Sequence, residues 1–200
     1  MGFTSAREQR LWILAGSCLL LIYSSLYIAR TVTNWLRDAN LLRLVVGGSF
    51  LLAATWVGFG LLRSRPGWRV WLALVAIAAG YAVLLSRLEL PEERLHFLEY
   101  GVIGGLVFAA LVERQKNRWD ESRESQSRRA PVWPAVGAFV ITGIAGWIDE
   151  GIQEILPNRF YDLRDVAMNA AAGALAVSSI WILDLARRAD EGPGDRGHNP

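Results

Sequence analysis

The sequence lacks most of the motifs that would point directly to a known chemistry. Cys18 is the only cysteine among 200 residues, so an internal disulfide is excluded. The chain has no glycine-rich phosphate loop, no metal-type Cys/His spacing and no evident Ser or Cys nucleophile. It also has no nucleic-acid motif, so its pI of about 9.0 does not indicate DNA binding. We therefore predict no cofactor, no metal and no nucleic-acid partner.

Apolar residues are what the chain has in excess. They make up 52% of it, the mean hydropathy is +0.25, and they gather in blocks of 17 to 19 residues. The six blocks are 11–29, 44–62, 70–86, 95–112, 132–148 and 166–183. A helix needs roughly 20 apolar residues to cross a bilayer, and a soluble helix would carry a polar face that these blocks lack. The sequence predicts an all-α polytopic membrane helix bundle of about six transmembrane helices.

The basic residues predict how this bundle is oriented. Six spans place both termini on one side, and that side holds 14 Lys and Arg residues against 7 on the other. Cytoplasmic loops carry the excess of positive charge, so we predict that both termini are cytoplasmic. The transmembrane domain then spans 1–188, with a cytoplasmic loop at 113–131 and a disordered cytoplasmic tail at 189–200.

The fourth block is the only one that carries acidic, basic or histidine side chains. His96, Glu99 and Tyr100 follow the i, i+3, i+4 spacing, which places them on one helical face. An acid inside an apolar block is costly without a partner or a wet cavity, so Glu99 is a candidate functional residue. Gly101 and Gly105 form a small-xxx-small pattern, which predicts close packing of this helix.

A second polar group lies around the end of the fifth block, and Pro157 predicts that the fifth helix ends there. Because the ends of helices four, five and six lie on the same side, we predict that they meet in an outward-facing polar pocket. Its predicted lining consists of His96, Glu99, Tyr100, Asp149, Glu150, Gln153, Arg159, Asp165 and Asn169.

Some of these residues have simpler structural interpretations. Asp162 could cap the sixth helix, with Asp165 favoured in its first turn by the helix dipole. Arg159 could be a surface ion-pair partner, and His96 could be structural. Asp149 and Glu150 are hardest to explain in this way, because adjacent acids repel each other and require a cation, a proton or a donor nearby.

The two polar segments together resemble the VanZ-like family of small bacterial membrane proteins. Its first block, basic-x-x-His-Phe-x-x-Tyr, is matched by His96, Phe97, Glu99 and Tyr100. Arg94 resembles the basic residue, although it lies two positions before His96. Its second block, Asp-Glu-x-x-Gln followed by a Pro-x-Arg turn and Asp-Val-x-x-Asn-x-x-Gly, is matched by Asp149, Glu150, Gln153, Pro157, Arg159, Asp165, Asn169 and Gly173. The resemblance covers 91–176, and Asn158 departs from the glycine that often precedes the arginine. The family's founding member is associated with low-level resistance to the glycopeptide teicoplanin, so the resemblance implies a cell-envelope role in the bacterial cytoplasmic membrane.

Three functions remain open from the sequence. The pocket could bind or modify a cell-envelope component, such as a lipid-linked cell-wall precursor or a glycopeptide, with Arg159 holding an anionic group and Tyr100, Asp149, Gln153, Asp165 and Asn169 completing the contacts. Alternatively, the protein is an intramembrane enzyme in which Glu99 or Glu150 acts as general base and His96 as acid. The third hypothesis is a structural subunit of an oligomer or larger membrane complex, surrounded by membrane lipids.

Overall fold

The computed structural model describes residues 2–88, 91–121, 132–156 and 161–190, and this part of the chain is all-helical. The helices are α1 Ala6–Asp38, α2 Leu42–Ser64, α3 Trp68–Ser86, α4 Pro91–Glu121, α5 Val132–Ile155 and α6 Leu163–Asp190. Each of the six contains a segment that is long and apolar enough to span a membrane. The predicted all-α class with six membrane-length helices is therefore confirmed for the described residues.

The outward side chains of these helices are predominantly apolar. Leu20 is 70% exposed, Leu52 73% and Trp56 82%, and many other large apolar residues are exposed along the same helices. A soluble protein rarely presents apolar surface on this scale, whereas lipid chains solvate it without cost. The surface is that of a multi-pass membrane protein.

The helices extend further than the apolar blocks do. Helix α1 continues to Asp38, and α4 continues to Glu121. The predicted loop 113–131 therefore begins within α4, and its remainder, 122–131, lies outside the described residues. Likewise, α6 continues to Asp190, so the predicted tail begins in a helix and 191–200 lies outside the description. Hydropathy marks only the segment that lipid can cover. The backbone hydrogen bonds of each helix continue beyond that segment, so the charged ends are helical as well.

The described helices group into two compact units. Unit 1 comprises Met1–Trp35 and Leu95–Val177, and unit 2 comprises Leu36–Arg94 and Ser178–Pro200. The buried core of unit 1 consists of Ala15, Ile22, Ile103, Val107, Phe108, Ala138 and Val177. Cys18 packs against this core as a small, partly buried residue.

Unit 2 contains α2, α3 and the end of α6. The Arg69 guanidinium donates to the Ala189 carbonyl oxygen, and the Arg94 guanidinium donates to the Leu88 carbonyl oxygen at 2.9 Å. The turn between α1 and α2 places Asn40 at φ 57°, a left-handed conformation that asparagine tolerates better than most residues. The Arg69 contact thus joins the start of α3 to the end of α6, and the Arg94 contact joins the start of α4 to the residues after α3.

The start of α1 is held against the charged end of α4 in unit 1 by a buried glutamate. Glu8 is fully buried, and its Oε1 accepts a hydrogen bond from Arg114 Nε at 2.6 Å. Its Oε2 accepts from the backbone N and the Oγ1 of Thr4, both at 2.7 Å. The Glu8 backbone N–H donates to Ser5 Oγ at 3.1 Å, as expected when Ser5 is the N-cap of α1. One acidic side chain thus joins the cap of α1 to α4.

We expect Glu8→Gln to lower the free energy of unfolding by about 1–2 kcal/mol, because it removes the charge that balances the partly buried Arg114. Arg7→Gln is the matched control, since the Arg7 side chain is 74% exposed and lies 3.7 Å from Glu113. The control should cost less than about 0.5 kcal/mol. Unfolding by added SDS in mild detergent, followed by tryptophan fluorescence, measures both. Equal stability of the two variants would contradict this role for Glu8.

Candidate functional site

The candidate site lies in unit 1, where α5 ends and where α4 and α6 begin. Asp149, Glu150 and Gln153 in the last two turns of α5 are only 0%, 1% and 4% exposed, respectively. On the opposite side of the same turns, Trp147 is 60% and Ile148 46% exposed. The helix therefore turns its charged face inward and its apolar face outward, which is the reverse of a soluble amphipathic helix.

Asp149 faces side chains from two other helices. His96 Nδ1 lies 3.8 Å from Asp149 Oδ2 and 3.6 Å from Glu99 Oε2. The hydroxyl groups of Tyr100 on α4 and Tyr23 on α1 also lie close to the Asp149 carboxylate. The predicted common face of His96, Glu99 and Tyr100 is thus directed at Asp149.

The two tyrosines converge on one backbone atom of α5. Tyr23 Oη donates to the Ala145 carbonyl oxygen at 2.7 Å, and Tyr100 Oη approaches the same oxygen at 3.4 Å. Ala145 is one helical turn before Asp149. The two phenol groups therefore set the level along the axis of α5 at which α1 and α4 contact its acidic end.

Glu150 connects α5 to the start of α6. Its Oε1 accepts a hydrogen bond from Gln153 Nε2 at 3.0 Å, and its Oε2 accepts from the Asp162 backbone N–H at 3.2 Å. Asp162 Oδ1 in turn accepts from the Arg164 backbone N–H at 2.8 Å. This contact confirms that Asp162 caps α6. Glu150 is consequently a fixed acceptor between two helices.

Asn169 lies on α6 beneath this connection and is 1% exposed. It packs on Gly146, where an added Cβ would lie 2.7 Å from the Asn169 Cβ. Neither its amide oxygen nor its amide nitrogen has a hydrogen-bond partner among the described residues. A buried amide without partners is unfavourable, so Asn169 holds hydrogen-bonding capacity that the described fold does not use.

Helix α4 packs closely on α6 at Gly104, a glycine outside the predicted Gly101–Gly105 pair. A Cβ at Gly104 would lie 2.7 Å from the Cα of Gly173, and a Cβ at Gly173 would lie 2.6 Å from Cγ2 of Thr142. At Gly101 the nearest atom would be the Ala172 carbonyl oxygen at 4.0 Å. Close packing of α4 is thus present as predicted, with Gly104 in closer contact with α6 than Gly101.

Most of the predicted site residues are brought together, and they differ in their exposure. Tyr100, Asp149, Glu150 and Asn169 are each at most 1% exposed, so in the described part of the chain they are enclosed among helices. The accessible edge is formed by the side chains of His96 and Glu99, which are 20% and 41% exposed. The small residues of α5 and α6 allow the helices to pack closely beside these polar groups. The predicted outward-facing pocket stays a prediction.

The remaining two predicted residues are Asp165 and Arg159. Asp165, in the first turn of α6, is half-buried and close enough to Glu150 to interact with it electrostatically. Arg159 lies outside the described residues, and its predicted role stays a prediction. Among the described residues, no group of three or more His, Cys, Asp or Glu side chains is placed to hold a metal ion.

Sequence reasoning missed Tyr23, Thr142 and Gly146. Each is a polar or small residue inside an apolar block, and Thr142 is fully buried without a hydrogen-bond partner for its hydroxyl among the described residues. Thr142 is the single hydroxyl residue of the fifth apolar block, and this is the signal that could have marked it. Tyr23 is one of five hydroxyl residues in the first block, so the sequence did not single it out. Gly146 carried no comparable signal, since glycine is frequent in membrane helices.

The arrangement has two layers of different chemistry. The outer layer is an imidazole beside a carboxylate, which can accept or release a proton. The inner layer consists of carboxylate, hydroxyl and amide groups enclosed by apolar helices, where electrostatic interactions are stronger than in water.

Comparison with models of known protein families, with curated proteins and with solved structures finds no match to this chain.

Proposed function

We propose that the protein is a VanZ-like protein of the bacterial cytoplasmic membrane that binds the head group of a cell-envelope component. The observation that carries the proposal is the complete burial of Asp149 and Glu150 at the end of an apolar membrane-length helix. Ionisable groups at such positions are costly, and membrane proteins that carry them commonly use them in binding or transport. The His96 imidazole beside Asp149 connects these acids to the accessible edge.

The chemistry of the cluster favours a ligand that donates hydrogen bonds. The described groups are chiefly carboxylates, which accept from hydroxyl and ammonium groups. Asn169 adds one acceptor and two donors that have no partners in the described fold. Sugars and amines of a lipid-linked cell-wall precursor, or of a glycopeptide, present such donors. A lipid tail would keep the head group at the depth of the cluster.

Acid–base catalysis on a lipid or glycan head group is the second candidate. It is favoured by the position of His96 Nδ1, which lies within 4 Å of two carboxylates, Glu99 and Asp149. In this function Glu99 or Glu150 removes a proton and His96 returns one. Catalysis and binding would use the same groups but differ in whether the ligand is released unchanged.

The proposal requires the cluster to face the outside of the cell, with both termini in the cytoplasm, as the 14-to-7 distribution of basic residues favours. In a Cys18→Ala background, we expect Tyr161→Cys to react with a membrane-impermeant maleimide in intact cells, because Tyr161 is exposed beside the cluster. Lys116→Cys, at the exposed far end of α4, should react only after lysis. The reverse pattern would invert the orientation and rule out an extracellular envelope ligand.

A further inference from the structure

An open apolar groove lies at the other end of unit 1, between the last turns of α4 and the first turns of α5. Its volume is about 540 Å³, within the range of about 300–1,000 Å³ that is usual for small-molecule sites. Its apolar lining includes Leu111 on α4 and Trp133, Val136, Val140 and Ile141 on α5. Trp133 is 80% and Val140 48% exposed, so the groove opens to the side of the helix pair and not toward the protein interior.

Two arginines lie on α4 at one end of this groove. Arg114 and Arg118 are one helical turn apart, with Gln115 beside them, and all three line the groove. Arg114 is bound to Glu8 by the 2.6 Å contact. Arg118 is exposed, and no ion pair or hydrogen bond joins it to another described residue. The positive charge of Arg118 therefore lies where the apolar lining of the groove ends.

Along α4, the apolar lining of the groove comes first and the positive charge follows. This order matches an anionic phospholipid, whose acyl chains lead to a negatively charged head group. Leu111 belongs to the apolar block that ends at residue 112, and Arg118 lies less than two turns beyond its end. Arginine and exposed tryptophan at such a depth occupy the interface between acyl chains and head groups. A neutral helix from a partner would fill the groove but would leave this charge unmatched.

We propose that this groove is a binding site for an anionic phospholipid. One acyl chain lies along Leu111, Val140 and Ile141, and the phosphate accepts hydrogen bonds from Arg118 and Gln115. The site is separate from the polar cluster of His96 and Asp149, which lies at the opposite end of α4 and α5. Its occupancy does not depend on the function proposed for that cluster.

The test is lipid titration of the delipidated full-length protein in detergent, with bound lipid counted by native mass spectrometry. Phosphatidylglycerol should bind about fivefold more tightly than phosphatidylcholine with the same acyl chains, since one basic side chain near an anionic lipid contributes about 1 kcal/mol. Arg118→Gln should remove this preference by weakening phosphatidylglycerol binding alone. Val140→Phe, which fills the groove, should weaken the binding of both lipids.

Arg10→Gln is the matched control, because Arg10 is an exposed arginine on α1 of the same unit and does not line the groove. It should leave the phosphatidylglycerol preference unchanged. Equal binding of the two lipids by the unaltered protein, or a preference that survives Arg118→Gln, would overturn the proposal. A stable dimer that Val140→Phe converts to monomer without changing lipid binding would assign the groove to a second copy of the chain.

Discussion

Replacing Gly104 with valine is expected to lower the free energy of unfolding by about 3 kcal/mol or more. A Cβ at this position would lie 2.7 Å from the Cα of Gly173. That contact is with backbone, which cannot rotate away as a side chain can, so α4 and α6 must separate. Because lipid tails replace lost apolar contacts, membrane helices rely on this close packing for their association. Unfolding by SDS in mild detergent, followed by tryptophan fluorescence, measures the change.

Gly101→Ala is the matched control for this prediction. It lies less than one turn from Gly104 on the same helix, but its added Cβ would meet only the Ala172 carbonyl oxygen at 4.0 Å. Alanine is favoured over glycine inside a helix by about 1 kcal/mol, so the control should be neutral or slightly stabilising. If the Gly104→Val protein were as stable as the Gly101→Ala protein, this result would contradict a close contact between α4 and α6 at Gly104.

Hydropathy predicted the helices because the membrane leaves few alternatives. Any chain segment of about 20 apolar residues must satisfy its backbone internally, and a helix does so. Helix ends were less predictable, as α4 shows by continuing beyond residue 112 to Glu121. Its last turns contact the start of α1 through Arg114 and Asn117. Such contacts join residues more than 100 positions apart, and hydropathy carries no information about them.

In the candidate site, too, the arrangement of residues within one helix was predictable, whereas the contacts between helices were not. The i, i+3, i+4 spacing of His96, Glu99 and Tyr100 was sufficient to place them on one face, because helical geometry fixes neighbours within a turn. The choice of Gly104 over Gly101 depends on how far α4 is rotated against α6. The contribution of Tyr23 depends on which helices are adjacent. Neither the rotation nor the adjacency is encoded in the spacing within one helix.

Enclosure of the acids was not predictable from their sequence either. Asp149 and Glu150 end an apolar block, and water or protein could equally have covered them. The structure covers them with protein: Gly146 and Gly173 allow α6 to approach α5, and the Asp162 backbone reaches Glu150. This packing determines which substitutions test function and which merely test folding.

Replacing Glu150 with glutamine is expected to weaken ligand binding about tenfold to a hundredfold while leaving the fold intact. Glutamine has the same shape and can keep an oxygen toward the Asp162 backbone N–H, as Glu150 Oε2 does at 3.2 Å. The Gln153 amide can turn to face the new NH₂ group. What is lost is the negative charge, which strengthens hydrogen bonds from hydroxyl and ammonium donors. Equilibrium binding of a polyprenyl-linked disaccharide-peptide precursor, and separately of teicoplanin, to the purified protein measures the effect.

Glu154→Gln separates the effect of this charge from that of any acid on α5. Glu154 is one turn further along the helix and is exposed, so its replacement should change neither binding nor stability. Failure of the unaltered protein to bind either probe would contradict the binding proposal. A Glu150→Gln protein that binds normally but no longer converts the precursor would assign Glu150 to catalysis, since only a proton-transfer role requires an ionisable group there. A protein destabilised by Glu150→Gln but not by Glu154→Gln would instead make the buried acid a clamp between α5 and α6, and the hypothesis of a structural subunit would then be favoured.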